Sequence, residues 1–167
     1  NPNRFEMVTT DCLTGLACYW EEKKDAKLII DIVKASSSLP YACPIIHVKG
    51  RPMLDGGIVD SIPLLRAFEQ GYTNCVVVLT RNKGYRKKEK DLNVPAFIYN
   101  KYPRLRVALR NRNKLYNKQL DLVERLEDAG KVKVIRPEKP LEVGRMETNA
   151  KKLTALYEEG YQCAKRM

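Results

Sequence analysis

The stretch from residue 44 to residue 80 constrains the fold most, because signals for strand, turn, helix and strand follow one another there. "PIIHVKGRPML" (44–54) predicts two short strands around Lys49-Gly50-Arg51. "SIPLLRAFEQG" (61–71) predicts a helix, since Pro suits its first turn and Gly the position past its end. The apolar run "NCVVVLT" (74–80) predicts a strand buried on both faces of a parallel sheet. Together they predict a βαβ unit and an α/β fold.

The flanking segments add hairpins and helices. "RFEMVTTD" and "LACYW" predict a β-hairpin, and "DAKLIIDIVKASSS" predicts a helix that ends before Leu39-Pro40. The sequence predicts a loop over residues 81–90, a helix over residues 102–129 and a short strand over residues 131–135. A last amphipathic helix is predicted over 147–166, with Thr148 or Asn149 as N-cap. Its expected buried stripe is Ala150, Leu153, Leu156, Tyr157, Tyr161 and Ala164.

Length and charge limit the class of protein. The 167 residues fit one domain, and no apolar stretch approaches the roughly 18 residues of a membrane span. The formal net charge is +11, which favours an anionic partner, either nucleic acid or a lipid surface. The positive residues concentrate in 81–90 and 101–118. The alternative is that these residues form only a solvated helical face.

Asp55 in "PMLDGGIVDSIPLL" has two interpretations. Asp-Gly is a common turn, so Asp55 needs no chemical role. An aspartate at a strand end can also serve as the base for a serine hydroxyl within hydrogen-bond reach. The small residues Gly56 and Gly57 would let the other half of such a site approach.

Other chemistries have less support in the sequence. His47 is the single histidine, and no G-x-S-x-G motif supplies a serine for a triad, so His47 is interpreted as a strand residue near the surface. No phosphate-binding or dinucleotide-binding glycine motif occurs. The five cysteines include no C-x-x-C pair or Cys/His cluster, so we expect no metal, no cofactor and a reducing cytosol.

The segment from Lys34 to Arg81 resembles the patatin-like phospholipases, specifically their bacterial cytosolic branch. Three features in order carry this resemblance. An "A-S-x-x-x-P" helix end occurs at 35–40, Asp-Gly-Gly follows a hairpin at 55–57, and a Pro-started helix and a strand come next. The opening "VTTDCLTGLACYW" is similar to the preceding strand pair, and "RPEKPLEVGRMETNAKKLTALYEEGYQCA" is similar to the C-terminal extension of that branch.

The resemblance implies the C-terminal part of a three-layer α/β/α fold, with a mixed, mostly parallel sheet and hairpins. Residues 1–100 would form the C-terminal half of the catalytic domain, and residues 101–167 a helical extension packed on it. It further implies that Asp55 is the aspartate of a Ser-Asp catalytic dyad that hydrolyses acyl esters of lipids, with Gly56 and Gly57 completing the motif. The dyad needs no histidine and no cofactor.

The nucleophilic serine and the glycine-rich oxyanion loop belong to the N-terminal half of the family and are absent from this sequence. The chain opens without Met, so we expect it to come from a longer protein and to be inactive alone. Its expected partners are an acyl-ester or phospholipid substrate, the N-terminal half of the same protein, and an anionic membrane touched peripherally from the cytoplasm. The alternative is a basic module that binds nucleic acid or an acidic surface without catalysis; otherwise no specific nucleic acid is expected.

Overall fold

A computed structural model of the chain describes residues 4–88, 94, 95, 97–144 and 147–166. The chain divides into two compact units, the first formed by residues 1–62 and 87–119 and the second by residues 63–86 and 120–167. The regular elements are, in chain order, β1 (Glu6–Asp11), β2 (Ala17–Glu21), α1 (Ala26–Ser36), β3 (Ile46–Val48), β4 (Arg51–Asp55), α2 (Leu64–Glu69), β5 (Cys75–Val78), α3 (Pro103–Asp128), β6 (Val132–Ile135) and α4 (Ala150–Lys165).

Four strands of the first unit form one antiparallel sheet in the order β2-β1-β4-β3. Both predicted hairpins are confirmed. Lys49 and Gly50 join β3 to β4 with φ angles of 48° and 76°. Two successive residues with positive φ match the right-handed twist of a two-residue hairpin turn, and Gly50 takes that conformation without steric cost.

The predicted helices of the first unit are confirmed. α1 starts at Ala26 because the Asp25 carboxylate accepts a hydrogen bond from the Leu28 amide at 3.0 Å. It ends at Ser36, ahead of Leu39-Pro40. α3 corresponds to the helix predicted over 102–129, and its residues up to Gln119 belong to the first unit.

Two hydrophobic clusters form the core of the first unit, and neighbouring residues of β4 contribute to both. Met53 packs with Met7 and Val48 and with residues of α1. Leu54 packs in the other cluster, which includes Ile58, Leu105 and Leu109. Successive side chains of a strand point to opposite faces of the sheet, so β4 is buried on both sides where it approaches Asp55.

The second unit contains the two-stranded parallel sheet of β5 and β6. The predicted βαβ unit is therefore wrong in its partners, because β4 lies in the four-stranded sheet and β5 pairs with β6, with α3 in the connection between them. The expected burial of β5 on both faces is also wrong. Val77 is buried, whereas Val76 and Val78 are 54% and 69% exposed. Their side chains alternate along the strand, and the second unit covers only the face of Val77.

The last helix is predicted correctly in position and wrongly in burial. Asn149 is the N-cap of α4, with its side chain accepting from the amides of Lys151 and Lys152. No residue of α4 is buried, and Tyr157 is 71% exposed. Leu156 is half-buried and faces the segment 138–143, which lines a cavity together with one side of the helix. That short segment is too narrow to cover the predicted apolar stripe.

The described residues form a mixed α/β fold, as predicted. Parallel pairing is confined to β5 and β6 among the described strands, and the larger sheet is antiparallel, so a mostly parallel sheet is not what these residues form. The three-layer arrangement stays a prediction. The division into a catalytic half over residues 1–100 and a helical extension over residues 101–167 also stays a prediction.

Candidate active site

Asp55 is the last residue of β4, at the end of the second strand of the hairpin. Hydrogen bonds hold its main chain on both sides. The Asp55 amide donates to the Ser38 carbonyl at 3.0 Å, and the Asp55 carbonyl accepts from the Thr10 hydroxyl at 2.8 Å. The strand pairing places Thr9 of β1 opposite Asp55. The backbone that carries the carboxylate is therefore fixed by the α1–β3 connection and by β1.

One of the two carboxylate oxygens of Asp55 accepts a hydrogen bond from the turn that follows it. Oδ1 accepts a hydrogen bond from the Gly57 amide at 2.7 Å and so caps the single 3₁₀ turn Gly56–Ile58. Within the described parts of the chain, Oδ2 accepts no hydrogen bond, and it is not fully buried. The turn thus orients the carboxylate and leaves one oxygen able to accept a proton.

The two glycines of the turn have different neighbours. A Cβ at position 56 would lie 2.4 Å from the Val8 carbonyl oxygen, so the backbone of β1 occupies the space that any other side chain needs. A Cβ at position 57 would lie 3.1 Å from Asp55 Oδ1. Gly56 therefore permits close packing of the turn against β1, while Gly57 leaves room beside the carboxylate.

The first half of α3 binds the far side of the turn. The Gly57 carbonyl accepts hydrogen bonds from Arg112 Nε at 3.1 Å and from the Ser61 hydroxyl at 2.8 Å. Gln119 Oε1 accepts from the amides of Ser61 and Ile62 at 3.1 and 3.3 Å. The side chains of Arg112 and Gln119 thus fix the segment from Gly57 to Ile62 to α3.

Two other aspartates near the turn are already satisfied. Asp11 is fully buried, forms an ion pair with Arg51, and accepts from the amides of Leu13 and Thr14. Asp60 accepts from the Tyr19 hydroxyl and from Gln119 Nε2, both at 2.7 Å. Among these three acids, Asp55 alone keeps an oxygen without a partner in the described structure.

The remaining sequence candidates do not join this site. His47 lies exposed on β3, which confirms its interpretation as a surface strand residue. Ser38 is buried, and its hydroxyl donates to the Lys34 carbonyl at the end of α1. In the described residues, no group of three or more His, Cys, Asp or Glu side chains is arranged to hold a metal ion.

Arg112 and Gln119 are the two residues near the turn that the sequence did not predict. Both lie in a run of basic and polar residues, where the pattern indicates only a solvated helix face. They are 55 and 59 residues away from their partners Gly57 and Asp60. The one available signal is that residues 101–118 contain no acid that would pair with Arg112.

The mixed α/β fold, with an aspartate at a strand end on a glycine turn, is compatible with a hydrolase. Comparison with known protein families finds two matches in this chain. Residues 21–68 match the family model described as Patatin-like phospholipase, which confirms the resemblance over that range. Residues 102–167 match the Domain of unknown function (DUF6363). No curated protein matches the chain significantly. Residues 21–68 are therefore similar to part of a family of lipid acyl hydrolases.

Proposed function

We propose that Asp55 is the general base of a Ser-Asp dyad in a lipid acyl hydrolase. The observation that carries the proposal concerns a carboxylate whose Oδ1 is fixed by the Gly57 amide and whose Oδ2 has no partner among the described residues. The match of residues 21–68 to patatin-like phospholipases supports it. The serine and the oxyanion-stabilising loop would be supplied from outside these 167 residues, so the chain alone would be inactive.

In this mechanism Asp55 accepts the proton of the serine hydroxyl as its oxygen attacks the ester carbonyl carbon. The tetrahedral intermediate collapses, the bond to the alcohol breaks, and Asp55 returns the proton to the leaving alcohol. A water then attacks the acyl-serine, again with Asp55 as base. The acyl–serine bond breaks, the serine recovers a proton from Asp55, and the free fatty acid leaves.

The test is Asp55→Asn in the polypeptide that joins these residues to the nucleophile. Asparagine keeps the shape and the acceptor for the Gly57 amide but cannot accept the serine proton. We expect hydrolysis of a p-nitrophenyl ester to fall about 10²–10⁴-fold while the unfolding midpoint changes little. His47→Ala is the control, because an exposed β3 residue should leave the rate within about twofold. A near-normal rate for Asp55→Asn, or an equal loss for His47→Ala, would rule out the dyad.

We further propose that the enzyme works at the cytoplasmic surface of an anionic membrane. None of the described helices combines the length and the apolar character needed to cross a bilayer. Five cations of residues 101–118 are exposed, whereas Lys83 and Arg86 pair with acids of α3. Of the apolar residues in that segment, Leu105 and Leu109 pack in the core. Attraction to the surface would thus come from charge and not from insertion of these two leucines.

A further inference from the structure

The guanidinium of Arg112 is held beside the Asp-Gly-Gly turn, and it has no counter-ion among the residues that the structure describes. Its Nε donates to the Gly57 carbonyl, which accounts for one of five N–H groups. Neither Nη atom has a hydrogen-bond or ion-pair partner in the described residues, and neither is fully buried. Arg112 as a whole is half-buried. A half-buried arginine that is anchored at one nitrogen presents the other two as a fixed fork.

The fork lies close to the carboxylate of Asp55. One residue, Gly57, links the two groups, since its amide donates to Asp55 Oδ1 at 2.7 Å and its carbonyl accepts from Arg112 Nε at 3.1 Å. The span of a single residue puts Nε within about 10 Å of the carboxylate. A group bound by the fork would therefore lie in the neighbourhood of an ester attacked by the serine that Asp55 deprotonates.

Tyr41 lies within electrostatic range of the same guanidinium. Burial and the neighbouring Tyr99 raise the pKa of Tyr41, and the positive charge of Arg112 acts against them. Tyr41 is 54% exposed, with a φ angle of 68° that is uncommon for a bulky residue. The Tyr99 hydroxyl accepts from the Tyr41 amide at 2.9 Å, and the two rings lie 5.7 Å apart. The Tyr41 hydroxyl itself has no partner in the described structure.

We propose that Arg112, with Tyr41 within its electrostatic range, binds the phosphate group of the lipid whose ester is hydrolysed with Asp55 as the base. The planar fork of arginine matches the two non-bridging oxygens of a phosphodiester, and a phenol can donate to one of the same oxygens. In a glycerophospholipid the phosphate and the nearest ester are on adjacent glycerol carbons, which fits the short separation of Arg112 and Asp55. The inference rests on the proposed function and names the substrate as phosphate-bearing rather than neutral.

The test compares two substrates that differ only in the phosphate headgroup. They are dihexanoyl-phosphatidylglycerol and dihexanoylglycerol, both kept below their aggregation concentrations. The enzyme is the polypeptide that includes the nucleophile. Arg112→Gln should raise KM for the phospholipid about tenfold or more and leave KM for the neutral diester unchanged. Tyr41→Phe keeps the ring on Tyr99 and should raise only the phospholipid KM, by a smaller factor.

Two further variants separate binding from support of the turn. Lys27→Gln removes an equal charge from an exposed position of α1 and should change neither KM. Arg112→Lys keeps the charge but loses the fork, so it should behave like Arg112→Gln. If Arg112→Gln lowers kcat for both substrates equally, Arg112 only holds Gly57 and the proposal is wrong. Unchanged kinetics on both substrates would overturn it too.

A binding measurement keeps this inference separate from the dyad. In the arginine-labelled polypeptide carrying Asp55→Asn, the Arg112 Nε–Hε resonance should shift on addition of dihexanoyl-phosphatidylglycerol and not of dihexanoylglycerol. Inorganic phosphate is added in parallel. A shift with inorganic phosphate alone would reduce the site to a simple anion site and overturn the lipid assignment. If the phospholipid shifts the resonance while Asp55→Asn still hydrolyses the esters at a near-normal rate, phosphate binding stands and the dyad fails.

Discussion

At the scale of single residues, Gly56 is where the packing of the site tolerates least change. The Val8 carbonyl oxygen lies 2.4 Å from the place where a Cβ would be, closer than real Cβ contacts come. This carbonyl belongs to β1, whose pairing with β2 and β4 prevents it from moving away. The glycine therefore sets how closely the Asp55 turn approaches the sheet, and through it the position of the carboxylate.

We expect Gly56→Ala to destabilise the protein by about 1–3 kcal/mol, the usual cost of forcing extra atoms into a packed core. The measurement is urea unfolding followed by circular dichroism. Gly144→Ala is the matched control, since a Cβ there meets nothing within 4 Å, and its effect should stay within about 0.5 kcal/mol. Equal stability of the two variants would show that β1 moves to make room for the methyl group, and the prediction would be wrong.

Local patterns predicted the residues whose conformation depends on their immediate neighbours. Lys49-Gly50 as a tight turn and Asn149 as cap of α4 both follow from bonds within a few residues. The contact of Arg112 with Gly57 joins residues 55 apart and leaves no comparable trace in either segment. The position of Asp55 was therefore predictable, whereas the groups that surround it were not.

At the scale of elements, burial is what the sequence predicted least well. β5 and α4 have the expected strand and helix, but Val76, Val78 and Tyr157 are exposed. An apolar pattern indicates which face of an element is available for packing. Whether another element covers that face depends on the arrangement of the rest of the chain, which no local window contains. For β4, whose two faces both receive helix residues, the apolar run and the burial agree.

The second half of α3 offers a pH-dependent test at this scale. Glu124 accepts from Arg86 Nη2 at 2.7 Å and from the Gly84 amide at 3.0 Å, so it ties the loop after β5 to the helix. The hydrogen bond from Arg86 is the main cause that lowers the pKa of Glu124 from 4.5 to about 2, against a smaller effect of burial. The folded protein thus holds the ionised form more strongly than the unfolded chain does.

Because the folded pKa lies below the unfolded value, the stabilisation is complete above about pH 5 and disappears as the pH falls toward 2. Glu124→Gln should lower the free energy of unfolding by about 1–2 kcal/mol at pH 7. This range takes into account that solvent near the partly exposed Arg86 screens the interaction. The difference from the natural protein should shrink steadily between pH 5 and pH 2 in urea titrations. Glu159→Gln, on exposed α4, should show no such convergence; a constant gap for Glu124→Gln would exclude the linkage.

At the scale of the whole molecule, the net charge of +11 is unevenly neutralised. Around the loop after β5, Lys83 and Arg86 meet Asp121, Glu124 and Asp128. Residues 101–118 contain no acid at all. Their exposed cations are Lys101, Arg104, Arg110, Lys114 and Lys118. The last three recur every four residues and so share one face of α3. The excess charge is thus concentrated on the first half of this helix.

We expect the protein to co-sediment with phosphatidylglycerol vesicles at low salt and to lose this binding steeply as the salt concentration rises. It should not bind neutral phosphatidylcholine vesicles. Each basic residue near such a surface contributes roughly 1 kcal/mol, and salt screens this attraction. The triple variant Arg110→Gln, Lys114→Gln, Lys118→Gln should therefore weaken binding by about two to three orders of magnitude if all three side chains reach the surface.

The matched control removes three charges from exposed positions on and beside α1, with Lys24→Gln, Lys27→Gln and Lys34→Gln. If net charge alone drives binding, both triple variants lose affinity equally, and the helix face has no special role. A short DNA duplex in a mobility-shift assay tests the other anionic partner. Tight, salt-dependent binding to the duplex without binding to anionic vesicles would favour a nucleic-acid module, since counterion release alone makes such binding fall steeply with salt. Selective loss of vesicle binding in the α3 variant would instead place this face of the helix at the membrane.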